Sequence, residues 1–492
     1  MPQSTAFHDF GALRFDSRAQ FEPARLERVR EEVRASGVRD LYVVVHGAHN
    51  DEAAGSAVDG AFRRMLTDAW GDAAHRLGFL GVHWPSLCFR DEGAPGVEEP
   101  KEVQEGDGRP GISRAMADDL HRQLPDSEGP LTELTDLLND RPARDTAFDD
   151  FGTALRRLAE IRLQDPVATF AADMEGEVLP QADPLMLFED TRTVCSEFAG
   201  ALRDLRHSLE ARTDAPARHE SAADGSAVSD EGTLQEARQA GPRPARPQSD
   251  RVRRAGTVAA GGPLGEAARS TDFAELWAGA HELFRQVVRH VLRRRAGLIG
   301  EEGLGPCLPT LAEGCEVRLH LVGHGLGGRL AGFALRGLET GAEPVTLASL
   351  TLLQGEMSHF AFADSLPQQV SGHGALWSKR RLVQGPLLCT FSHLDSHLGV
   401  LYPLSAQMIG DSAELATTAR KWGAIGFDGI QGIDGPPPVF LKDVAEQEPW
   451  KAPYVNVDAS EVIRSDEIPM GGHHHVFHPE IGQLLRCAAE SA

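Results

Sequence analysis

Val317–Arg318–Leu319–His320–Leu321–Val322–Gly323–His324–Gly325–Leu326–Gly327–Gly328 is the stretch whose reading decides the fold. Its first six residues alternate towards an apolar end, as a buried strand does. Past Gly328, Leu330, Ala331, Phe333, Ala334 and Leu335 recur at helical spacing. Strand, glycine-rich turn and helix are therefore expected within very few residues.

The flanking sequence supplies more of the same. Leu41–Tyr42–Val43–Val44–Val45 is a short, apolar, β-branched run that ends in His46–Gly47–Ala48–His49–Asn50–Asp51. A buried parallel strand reads this way, and the loop at its C-terminal end is where open α/β sheets bind ligands. Residues 56–77 have a helical pattern, and Phe79–Pro85 predicts the next strand. Strand, helix, strand is the rhythm of a parallel sheet. Pro23 to Arg34 predicts a helix with Leu26, Val29 and Val33 on one face. Downstream, Val345–Leu353, Leu387–Phe391 and Tyr454–Ile463 are expected strands. Pro479 opens a last helix with Ile481, Leu484 and Leu485 on one side.

The rhythm breaks in the middle of the chain. Asp91 to Gly111 is acidic and rich in glycine and proline, a loop signature. Residues 112–212 carry only helical patterns, notably Leu155–Leu163 and Pro184–Leu209. Residues 213–270 have almost no large apolar side chain, so disorder is expected. An amphipathic helix over Phe273–Arg295 then leads back to the sheet. The expected organisation is a core begun in 1–90, a helical cap in 91–212, a disordered linker in 213–270 and the rest of the core in 271–492.

Composition narrows the function. Hydrophobic residues at 41% and charged residues at 25% describe a soluble globular chain. A net charge of −24 disfavours wrapping a nucleic acid or lying on an anionic membrane, since phosphates would be repelled. Met1–Ala6 lacks the basic and apolar parts of a signal peptide, and no apolar run is long enough to span a bilayer. The six cysteines show no C-x-x-C pair and read as separate reduced thiols. A cytoplasmic protein is expected.

The Gly323–Gly328 turn resembles the GHSLGG nucleophile elbow of α/β-hydrolase esterases and lipases, with Gly325 where the serine stands. The resemblance covers roughly 40–90 and 271–492. It implies an α/β-hydrolase fold, a mostly parallel sheet flanked by helices. It also implies a triad in the chain order nucleophile, acid, histidine. Asp395, just past Leu387–Phe391, is then the acid. His473, after Gly471–Gly472, is preferred as the base over His474, His475 and His478. The oxyanion hole would use the backbone N–H of Leu326 and that of Ala48 or His49.

Glycine has no side chain, so Gly325 can form no acyl-enzyme. It also relaxes the strain that the elbow imposes on any residue with a Cβ. Three histories fit: a pseudoenzyme, a hydrolase inactivated by substitution, or a site where His473 and Asp395 act on water. Each keeps an esterase- or lipase-like pocket for an acyl, ester or lipid ligand, without a cofactor.

Other classes stay open. Gly323, Gly325 and Gly328 satisfy the dinucleotide pattern G-x-G-x-x-G, although Glu356 comes later than the usual ribose-binding acid. His46, His49 and Asp51 could join His473–His475 as ligands of a metal-dependent hydrolase. A non-catalytic interaction protein recruiting a partner through the cap and linker also fits.

Overall fold

The computed structural model describes residues 7–49, 51–89, 111–159, 173–175, 189–213, 272–338, 345–367, 372–407, 423–446, 454–464 and 472–492. The expected linker at 213–270 lies almost entirely outside the described residues. So do the 91–110 loop, parts of the 112–212 segment and Gly471.

In chain order the first elements are β1 (His8–Arg14), α1 (Pro23–Ser36), β2 (Asp40–Val45), α2 (Glu52–Trp70) and β3 (Leu77–His83). Helices α3 (Arg114–Gln123), α4 (Glu128–Asp140) and α5 (Thr146–Ala159) follow, then the two-residue β4 (Met174–Glu175) and α6 (Thr191–Thr213). Next come α7 (Phe273–Leu298), α8 (Gly305–Ala312), β5 (Arg318–His324), α9 (Leu326–Leu338), β6 (Ser349–Leu353) and β7 (His373–Gly374). The chain closes with β8 (Leu387–Phe391), α10 (Tyr402–Gln407), α11 (Ile425–Asp428), β9 (Val439–Phe440), β10 (Val455–Asp458) and α12 (Pro479–Glu490).

Eight strands form one sheet in the order β1-β3-β2-β5-β6-β8-β10-β9. Every pairing in it is parallel. The small β4–β7 pair is antiparallel and separate. The molecule is thus an α/β structure with a mostly parallel sheet and flanking helices.

Local chemistry explains the elements around the site. Pro23 sits in the first turn of α1, and Gly37 ends that helix in the left-handed region. Asp51 caps α2 by accepting from the Ala54 N–H at 2.8 Å. All six residues of β2 are buried, as befits a strand with a neighbour on each edge and helices on each face. Its side chains alternate between two cores. Leu41, Val43 and Val45 join the cluster that holds α1, α7 and α9, whereas Tyr42 and Val44 join the one that holds α2 and α12. Met116, Leu131, Phe148 and Phe198 from α3 to α6 belong to the first cluster as well.

Three elements depart from the sequence reading. The sheet begins not at Leu41 but at β1, an edge strand whose register shifts between Asp9 and Ala12. The 112–212 segment, expected to be helical throughout, contributes the strand β4. And α7, read as amphipathic, is buried almost all round from Leu276 to Leu298, its arginines included. Among the described residues no helix is long and apolar enough to cross a membrane.

Candidate functional site

The strand order reverses at β2, since the chain goes outward to β3 on one side and to β5, β6 and β8 on the other. In open parallel sheets a crevice forms at the strands' C-terminal ends beside such a reversal. Two loops meet there, residues 46–49 after β2 and the Gly325 turn after β5.

Gly325 has φ +55°, the left-handed region that disfavours side chains. The turn is held by three hydrogen bonds. Gly325 N–H donates to Leu353 O at 3.0 Å, and Gly325 O accepts from the N–H groups of Gly328 and Glu356, both at 3.0 Å. Leu326 is the first residue of α9, so its N–H has no partner within the helix. Gly327 lets α9 reach β2: a Cβ there would overlap the carbonyl oxygens of Val45 and His46. Gly323 and Gly328 likewise serve contact between β5, α9 and their neighbours.

Asp395 follows β8 and is fully buried. Both carboxylate oxygens are engaged. Oδ1 accepts from the Leu398 N–H at 3.0 Å, and Oδ2 accepts from His473 Nδ1 at 2.8 Å. The loops after β8 and β10 are stitched together, with Ser392 Oγ donating to Ile463 O at 2.7 Å. With its Nδ1 donating to the carboxylate, the buried His473 ring presents Nε2 as an acceptor. That nitrogen faces Gly325. A Cβ built on Gly325 would stand 3.0 Å from His473 Nε2 and 3.9 Å from Gly47 Cα.

The remaining candidates fall as follows. Ala48 is buried in the loop after β2. The His49 N–H already donates to Ser86 Oγ at 3.0 Å, so of the two N–H groups considered there Ala48 is the one without that commitment. His475 is exposed, and His478 is half-buried at the start of α12. Asp51 is occupied as the α2 cap. His46 and His49 gather with His83 instead, with ring centroids 3.8 Å apart for His46–His49 and 5.3 Å for His46–His83. Burial and the neighbouring rings hold His49 down to about 3 and His46 well below the usual histidine range. Both are neutral near pH 7. Among the described residues the one histidine group that converges at ligand distance is His324, His473 and His474.

Glu356, the acid that follows β6, is buried. It lies against Arg289 at 3.2 Å, His397 at 3.5 Å and Arg293 at 3.9 Å. Burial alone would raise its pKa, but Arg289, His397 and Arg293 outweigh that and hold the carboxyl below the usual range. The Glu356 backbone N–H also donates to the Gly325 carbonyl, so the residue that bears this carboxylate is tied to the turn.

Sequence reasoning missed His324. Its Nε2 donates to the His473 carbonyl at 2.9 Å, tying the turn to the histidine loop across 149 positions. Burial, then His473, brings its pKa down to about 4. Adjacency to Gly325 was the one available signal.

No protein-family profile, no curated protein and no solved structure matches this chain.

Proposed function

We propose that the chain is an α/β-hydrolase-fold protein with an esterase- or lipase-type site that lacks its nucleophile. It binds an acyl or ester ligand, with little or no covalent turnover. The observation that carries this reading is the alignment of Asp395, His473 Nε2 and the bare Cα of Gly325, with 2.8 Å in the first contact and 3.0 Å from Nε2 to the missing Cβ.

In this reading the Asp395 carboxylate fixes the His473 tautomer and would stabilise an imidazolium. The N–H groups of Leu326 and Ala48 receive the carbonyl oxygen of the ligand, aided by the positive end of α9. The serine that would attack is absent, so the acyl group has nowhere to bond. The removal of a triad serine typically costs on the order of 10⁶ in turnover. A dinucleotide is less well served, because the His473 ring covers the Gly325 turn where a pyrophosphate would rest, and Glu356 is committed to cations.

The test compares hydrolysis of short acyl esters by chelator-treated protein. The unaltered chain should stay near the buffer rate and Gly325→Ser should exceed it, with the gain lost on adding His473→Ala. Robust hydrolysis by the unaltered chain that survives His473→Ala would overturn the reading.

A further inference from the structure

The acyl site draws on His473 and gives no chemical role to the neighbouring His324 and His474. His324, His473 and His474 each offer a ring nitrogen, and these three lie within 4.8 Å of one another. Their ring centroids are 5.2 Å apart for His324–His473, 5.2 Å for His473–His474 and 5.9 Å for His324–His474. Imidazole nitrogens bind zinc at about 2.0–2.1 Å in a tetrahedron, an arrangement that sets ring centroids about 5 Å apart. The rings already stand within about 1 Å of that spacing.

Two of the rings are also steadied through their other nitrogen, and the third has a thiol near its own. His473 Nδ1 is on Asp395 at 2.8 Å, His324 Nε2 is on the His473 carbonyl at 2.9 Å, and His474 Nε2 lies 4.0 Å from Cys88 Sγ. Metal-bound histidines are held in this manner, by a carboxylate or carbonyl that fixes tautomer and aim. The nitrogens left over are His473 Nε2, His324 Nδ1 and His474 Nδ1. The last is buried without a hydrogen-bond partner. Gly325 matters a second time, since a side chain there would stand against His473 Nε2.

We infer that His324, His473 and His474 form a three-imidazole site for a divalent transition ion of the zinc class, with water in the fourth position over Gly325. An all-nitrogen set suits such ions and not calcium or magnesium, which take oxygen ligands. Three protein ligands with one open position is how catalytic zinc is held, whereas structural zinc takes four. The water on such an ion would occupy the space of the absent serine oxygen. The site shares His473 with the acyl-site reading but does not depend on it.

The full chain, stripped with chelator, is titrated with zinc by calorimetry and with cobalt(II) by visible absorption. One ion per chain is expected, with the cobalt spectrum of a four-coordinate site. His474→Ala, at a half-buried position, should weaken zinc binding at least about 100-fold, since even outer-shell changes cost 10–100-fold. The exposed His475→Ala should leave it unchanged. His324→Ala, checked for folding by circular dichroism, should behave like His474→Ala. Failure to take up one zinc, or uptake indifferent to both His324→Ala and His474→Ala, overturns the site. Labelling of metal-free Gly325→Ser by a serine-reactive probe reads the acyl site separately, so either proposal can fall while the other stands.

Discussion

His473 Nε2 lies 3.0 Å from the point where a β-carbon on Gly325 would stand, while its other ring nitrogen holds Asp395 at 2.8 Å. An acceptor nitrogen is therefore oriented towards a residue that carries no side chain. That relationship joins three loops separated by as many as 148 positions.

The carboxylate should matter more for chemistry than for position. In a Gly325→Ser background, Asp395→Asn keeps the shape but presents an amide to His473 Nδ1, favouring the wrong tautomer. A fall of about 10⁴-fold in ester turnover is expected, measured as kcat. A loss of only a few-fold would show that the pair is structural.

Two neighbouring glycines should respond differently to alanine. At Gly327 the added Cβ meets the backbone oxygens of Val45 and His46, which have no room to move, so a loss of about 3 kcal/mol is expected. At Gly325 the obstacle is φ +55° and a side chain that can yield by a few tenths of an ångström, so the cost should be about 1–2 kcal/mol. Urea denaturation of both variants checks the order, and a larger loss at Gly325 would contradict it.

Glu356 should be indispensable to the turn. Glu356→Gln leaves Arg289 and Arg293 buried beside a neutral group, which costs about 3–5 kcal/mol when an ion pair of this kind is broken. Because the pair is buried, added salt should not rescue it. Unchanged stability would mean that other groups carry those charges.

Acid should weaken the fold through its buried imidazoles. His49 is held down to about 3 by burial and His83, and His46 and His290 lie well below the usual range through burial and nearby cationic or imidazole groups. In the unfolded chain they take up protons near pH 6.5. The unfolded state thus binds more protons below that pH. Stabilisation from these groups is complete above about 6.5 and is lost as pH falls towards 3. Denaturation midpoints at stepped pH should fall across this window, and a flat profile down to pH 4 would refute the burial argument.

How much was legible in the sequence follows from where the forces lie. Leu41–Val45, with its three valines, and the largely apolar Leu387–Phe391 announce themselves because strands buried on both faces need near-continuous apolar runs. The turn at Gly325 was readable because strand, turn and helix are contiguous. β1 was not, since an edge strand with an irregular register and polar positions carries no such run. The burial of α7 was also hidden: its arginines look like a solvent face until partners such as Glu356, 67 positions from Arg289, are folded beside them. Asp395 and His473 could be chosen by chain order, but their contact and the role of His324 depend on loops that only the sheet brings together.

The most direct measurement is intact-mass analysis after treating metal-free protein with a fluorophosphonate probe. Gly325→Ser should gain one adduct per chain, mapped to residue 325. The unaltered chain and Gly325→Ser with His473→Ala should gain none. Equal labelling of all three, or none of Gly325→Ser despite a native fold, would contradict a nucleophile position at Gly325 served by His473.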